Sequence, residues 1–292
     1  ITAGKPHARI IWRTQCDKSC RISKLRSGMV VKMDITVEIC CGGYEDALQA
    51  AKGGAERVEL NTGLYMGGLT PCTGTLKLVK KDTNLKVISM VRPRGGGFCY
   101  TDAEFRSMLQ DATELLEAGS DGIVYGFLKA DGSIDKNRTG EMTRLIHSYG
   151  KTAVFHRALD CVGASDTAIE ELTSLNVDRA LTSGGRKTAW EGRDRIKQLQ
   201  EKFGSMIQIL AGSGINEENA GKIVNETGVR QIHSSCKSWR KDATAKGRDV
   251  SYAYVEGAYS SMFEIVSEQK TRKLLMALKD KTTAVEFRDA PL

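Results

Sequence analysis

The stretch Gly54-Ala-Glu-Arg-Val-Glu-Leu60 sets the pattern of the whole chain. A small residue closes a helical segment, and a short apolar strand starts almost at once; glycine serves there because it tolerates a left-handed backbone. The phrase returns as Gly119-Ser-Asp-Gly-Ile-Val124, Val177-Asp-Arg-Ala-Leu181 and Gly228-Val-Arg-Gln-Ile232. Reading outward predicts eight strands, near residues 34–40, 56–61, 86–92, 121–126, 151–157, 178–182, 206–211 and 229–233. Helical patterns fill the gaps. In the clearest, over 102–118, Phe105, Met108, Leu109, Ala112, Leu115 and Leu116 share one face, and Thr101 with Glu104 forms a capping-box signature. Others begin near Tyr44, Thr73, Lys136, Ser165, Thr188, Asn216 and Thr271.

Strict alternation of strand and helix predicts the α/β class with a parallel sheet, and eight units is the number that closes a (β/α)8 TIM barrel. An open doubly wound sheet is the alternative. Its dinucleotide fingerprint would stand after the first strand, where this chain reads Cys41-Gly-Gly-Tyr-Glu-Asp46. A length of 292 residues suits one barrel of roughly 250 residues with additions. The main addition is a long insertion after the eighth strand. From Ser234 to about 266 no period is clear, and a connection of that length is a lid, a surface excursion or an oligomer contact.

The net charge of +7 is local. Residues 1–33 hold eight basic side chains and one acid, Asp17, while the rest carries 35 of each sign. The body therefore has no field to attract nucleic acid. No apolar run reaches the roughly 20 residues needed to span a bilayer. Residues 1–32 are expected to be a basic N-terminal extension outside the fold, with the barrel domain at 33–292. They read as upstream sequence before a start at Met29 or Met33, or as an organelle-targeting segment. The eight cysteines follow no disulfide spacing, which fits reduced thiols in a cytosol.

In such a barrel the active site lies at the carboxyl ends of the strands, and alternation decides which side chains face inward. Glu38 and Cys40, Glu59 and Asn61, and Arg92 are expected to turn toward the mouth, with His156, Arg157, Asp160 and His233 at other strand ends. One reading is a structural ion network, Glu38 and Glu59 against Arg92 and Arg157. The other, favoured by crowding at one rim, is a site for a small anionic substrate or a metal. There Glu38 or Glu59 acts as general acid or base, His156 shares the proton transfer, and Arg92 and Arg157 clamp the anion. Arg94 and the turns at Gly212-Ser213-Gly214 and Ser234-Ser235 are further anion-binding candidates, since loops after the late strands of this fold often hold phosphate. Cys40, Cys41, Cys72, Cys99, Cys161 and Cys236 all stand at strand ends or in the loops that follow. Soft thiolates select Cu(I) or zinc, but without a CxxC pair no preformed zinc site is legible. Small residues filling tight turns explain the same placement.

Val37-Glu-Ile-Cys40, Gly53-Gly-Ala-Glu-Arg-Val-Glu-Leu60 and Gly67-Gly-Leu-Thr-Pro71 resemble proteins of the CutC family. So do Arg92-Pro-Arg-Gly-Gly96, Phe98-Cys-Tyr-Thr-Asp102, Phe155-His-Arg-Ala-Leu-Asp160, Leu181-Thr-Ser-Gly184 and Gln231-Ile-His-Ser-Ser235. The match runs in order from about Met33 to about Lys279. The resemblance implies a cytoplasmic, often homo-oligomeric barrel associated with copper homeostasis and copper binding, with no firmly assigned reaction. It also implies Cu(I) held by two cysteines. One corresponds to Cys40; at the other position this chain has Asn61, a hard and poor Cu(I) ligand, so a copper site would have to recruit Cys72 or another loop thiol.

Overall fold

The computed structural model describes residues 35–279, together with a two-stranded antiparallel hairpin of Cys20–Lys24 and Met29–Met33. That hairpin belongs to a separate unit; the unit that carries the barrel spans Ile35–Lys281. The expectation that residues 1–32 stand outside the fold falls, hairpin apart, outside the described residues.

The barrel strands are β1 (Thr36–Cys41), β2 (Arg57–Leu60), β3 (Lys86–Met90), β4 (Gly122–Tyr125), β5 (Thr152–Phe155), β6 (Arg179–Thr182), β7 (Gln208–Gly212) and β8 (Gln231–Ser234). Each pairs in parallel with the next, and β8 pairs with β1, so the sheet closes. Every strand stands within two residues of its expected bounds. Closure follows from alternation. Val37, Ile39, Val58 and Leu60 face the helices and are buried in the main core, while Ile88, Met90, Val124 and Val154 form a separate apolar cluster. On the other side a polar plug gathers Glu38, Arg57, Arg179, Gln208 and Gln231, and the last four each stand at or next to the start of their strand.

Nine helices are described: α1 (Tyr44–Lys52), α2 (Thr73–Asp82), α3 (Asp102–Glu117), α4 (Lys136–Ser148), α5 (Ala158–Cys161), α6 (Asp166–Ser174), α7 (Arg193–Phe203), α8 (Ala220–Thr227) and α9 (Glu268–Lys279). The Thr101–Glu104 capping box at α3 is present. Three starts differ from expectation, the simplest being α9, which begins at Glu268 ahead of Thr271. The α7 helix begins at Arg193 rather than near Thr188, because the chain doubles back: a Cβ on Gly192 would lie 1.9 Å from the Ser183 carbonyl oxygen. Before α8, the Asn216 side chain accepts the N–H groups of Glu218 and Asn219, a turn that competes with helix and delays it to Ala220. The short α5 places Cys161 in a helix, where a loop was expected.

The insertion is an ordered arm. Its strands β9 (Lys237–Lys241) and β10 (Met262–Val266) pair antiparallel. At its base the Asp46 carboxylate accepts the N–H of Val266 at 2.8 Å and of Gly42 at 2.7 Å. Further out, Trp239 stacks on Tyr259, and Tyr254 packs against Tyr65 of the loop after β2. Among the described residues no helix is long and apolar enough to cross a membrane.

Candidate functional site at the barrel mouth

A cavity of about 270 Å³ opens at the carboxyl ends of the strands. Its wall includes Cys40, Glu59, Arg92, His156, Arg157 and His233, with Ser213, Gly214, Ser234 and Ser235 on the side of the last two strands. These come from six strands or the loops just beyond them, as the alternation of inward side chains requires.

His156 follows β5 and is buried beneath Phe98, whose ring lies 4.7 Å away. Its Nδ1 accepts the N–H of Ala158 at 3.1 Å, so the ring proton sits on Nε2, and Nε2 has no partner. Burial, and then the nearby Arg92 cation, lower its pKa to about 3. It is therefore a neutral, fixed N–H donor. Gly126 makes room for it: a Cβ there would lie 2.4 Å from the imidazole Cε1. Gly126→Ala is expected to cost about 1–3 kcal/mol by overpacking and to turn the ring. A thermal melt matching the unsubstituted protein would count against so tight a fit.

Arg92 is equally buried. It donates to the carbonyls of Met66 at 2.8 Å, Gly68 at 3.0 Å and Gly96 at 2.6 Å, while its Nε has no partner. Among the described residues it meets no carboxylate, so its charge is uncompensated at the cavity wall. The expected pairing with Glu38 or Glu59 is absent.

Glu59 accepts from Asn61 Nδ2 at 2.9 Å and from the Cys40 thiol at 3.7 Å, both on Oε1; Oε2 is unpartnered. Burial raises its pKa against the pull of His233. Burial, and then Glu59, also raise the Cys40 thiol well above its usual range, so the thiol is neutral.

Glu38 corrects the sequence reading. It does not reach the cavity wall but lies beneath it, 1% exposed. One oxygen meets Arg57 at 2.7 Å and Arg179 at 3.7 Å, ion pairs without hydrogen-bond alignment. The other faces His233 Nδ1 at 3.0 Å. Burial pushes its pKa up, but Arg57, the bond to His233 and Arg179 outweigh that and hold it at about 2. The carboxylate thus fixes the His233 tautomer with its proton on Nδ1 and leaves Nε2 as the free ring nitrogen. Burial pulls the His233 pKa down, but Glu59 and Glu38 hold it above its ordinary value.

Asp160 and Arg94 also serve other ends. Asp160 accepts from Thr182 Oγ1 at 2.6 Å, from the N–H groups of Ser183 and Gly185, and from Arg157 Nε at 2.7 Å. It shapes the loop after β6 and holds Arg157 to the cavity. Arg94 pairs with Glu104 and caps loop carbonyls away from the wall. Gly212 ends β7 just short of the wall. Cys72 is exposed and outside the one group of three candidate metal donors among the described residues, Cys40, Glu59 and His233, whose ligand atoms lie within 4.8 Å of one another. Asn61 turns its amide N–H toward Cys40 Sγ at 3.6 Å. Sequence reasoning missed Arg57 and Arg179, although each lies two residues before an inward-facing position, and it missed Phe98, for which no periodic signal exists.

A closed (β/α)8 barrel with buried acid, imidazole and guanidinium groups around one opening places the chain in the TIM-barrel class. The chain belongs to the CutC family, whose family pattern matches residues 35–238. It is 48% identical over 219 residues to a CutC family protein of Treponema denticola, covering 75% of this chain and 88% of that one. It is 37% identical over 246 residues to a mouse protein named copper homeostasis protein cutC homolog, covering 84% and 89%. A crystal structure of CutC from Streptococcus agalactiae superposes with a TM-score of 0.65 at 34% identity, over 69% of this chain and 98% of that one.

Proposed function

We propose that the barrel mouth binds a small anionic metabolite and moves a proton on it. One observation carries this reading. Three buried side chains on one cavity wall, Glu59, Arg92 and His156, each keep a polar atom without a partner. Each such atom costs about 1–3 kcal/mol, a cost that a ligand with matching groups removes once small side-chain shifts bring these buried atoms to the cavity. Arg92 and Arg157 supply positive charge for the anion. The neutral His156 Nε2–H is placed to donate to a ligand oxygen, and Glu59 Oε2 to take or give the proton. Glu38 and Asp160 act as positioning residues for His233 and Arg157. A thermal-shift screen of small carboxylates, phosphates and sugar acids tests the reading. Stabilisation by at least one class is expected, and a screen in which no compound stabilises the protein overturns it.

A second reading, Cu(I) binding for copper homeostasis, is favoured by the Cys40, Glu59 and His233 group. Thiolate sulfur and imidazole nitrogen suit Cu(I), and the Glu38 carboxylate behind His233 is the outer partner that metal-binding histidines use. Asn61 at the neighbouring position makes the donor pair Cys40 and His233 rather than two cysteines. Cys40→Ala is expected to weaken Cu(I) affinity about 100-fold or more, measured by competition with a strong Cu(I) chelator under reducing conditions. Wild-type protein that competes no better than nonspecific binding removes this reading. The cytoplasm is the compartment we favour for either activity, because the six cysteines of residues 35–279 are all unpaired.

A further inference from the structure

We infer that the anion at the mouth is a phosphomonoester, its phosphate held by the main chain of the loops after β7 and β8. The inference rests on the small-anion reading and names the ligand class. The cavity, about 270 Å³, lies just below the roughly 300–1,000 Å³ of drug-sized pockets, so a small metabolite fills it. Its wall after β7 and β8 is Ser213, Gly214, Ile215 and Ser235, and Arg157 lines the same cavity.

Two of the hydroxyls there, those of Ser213 and Ser234, are already used. Ser213 Oγ donates to the Lys187 carbonyl at 2.8 Å, and Ser234 Oγ donates to the Ile215 carbonyl at 2.6 Å. Both brace the loops from within. The N–H groups of Ser213, Gly214 and Ser235 find no acceptor among the described residues. Ser213 and Gly214 hold left-handed backbone, φ 81° and 69°, which for a serine is uncommon and needs the bracing its hydroxyl supplies.

A second, independent observation points to the same ligand. His156 and Arg92, 4% and 5% exposed, line this same cavity, and each keeps a buried N–H without a partner, Nε2–H and Nε–H. Glu59 is the one carboxylate of that wall, set against Arg92, Arg157 and two histidines. This balance suits a dianion. Three main-chain donors and a guanidinium exceed what the two oxygens of a carboxylate use, and match the three terminal oxygens of a phosphate. The phosphate would sit over the β7 and β8 loops. The rest of the molecule then extends toward His156 and Glu59, where an oxygen meets the imidazole N–H.

Titration of the intact chain with inorganic phosphate, and in parallel with acetate, by calorimetry and ³¹P line broadening tests the assignment. Two variants accompany it, Arg157→Gln and Ser235→Asp, the second placing a carboxylate at the half-buried loop position; circular dichroism checks their fold. Saturable phosphate binding is expected in the wild type, about tenfold or more weaker in each folded variant, with acetate binding weaker than phosphate. Phosphate binding unchanged in Arg157→Gln, or acetate bound as tightly as phosphate, overturns the phosphate assignment. Saturable acetate binding without phosphate binding overturns it too, and leaves the small-anion reading standing. Binding of neither anion, with no hit in the metabolite screen, removes both.

Discussion

Glu38→Gln is expected to lower the melting temperature by on the order of 10 °C. Among the described residues Glu38 is the one carboxylate within 4 Å of Arg57 and Arg179, and all three are buried. Removing one partner of a buried ion pair leaves uncompensated charge and costs about 3–5 kcal/mol. In a domain of this size each kcal/mol is worth roughly 2–4 °C. The glutamine keeps the shape and loses the charge, so the loss reports electrostatics rather than packing. Thermal melts at neutral pH measure it, and a shift under about 2 °C would mean that Arg57 and Arg179 are solvated some other way. The pH dependence has a fixed sign. The folded-state pKa of about 2 lies below the ordinary 4.5, so the Glu38 contribution is complete above 4.5 and is lost as pH falls toward 2. The stability gap between wild type and Glu38→Gln should therefore narrow as pH falls across that window.

The second large effect concerns turnover. For any substrate the screen identifies, Glu59→Gln is expected to lower kcat by a factor of about 10²–10⁴, the usual share of a positioned acid or base. The substitution preserves side-chain volume and can still accept from Asn61 Nδ2 through its amide oxygen, so the fold should survive. Asn61, by contrast, donates to Glu59 and stands 2.4 Å from where a Cβ on Gly68 would lie, so it positions the carboxylate. A kcat within a factor of about three of wild type would remove Glu59 from the proton transfer and return it to the structural network. Loss of binding with kcat intact would instead assign it to ligand recognition.

The apolar periods of the chain were enough to count eight strands and to place them, because each period is local and strand parity needs only the identity of neighbours. The same parity brought Glu59, Arg92, His156, Arg157 and His233 to one opening. It failed for Glu38, which shares a face with Cys40 but lies one level deeper, and depth along a strand is invisible to a pattern of period two. The irregular arm escaped for a different reason. Lys237-Ser-Trp-Arg-Lys241 is half-exposed on both faces, so it carries no alternation to read.

By itself, then, the amino-acid sequence determined the fold class, the number of units and the set of side chains turned inward. Only the tertiary structure decided their partners. Closure brings β8 against β1 and sets His233 beside Glu38, 195 residues apart in the chain. It delivers Arg57 and Arg179 to that carboxylate and leaves Arg92 with carbonyls alone. Ion pairing is settled by ångström-scale distances between distant segments, and no local period encodes those.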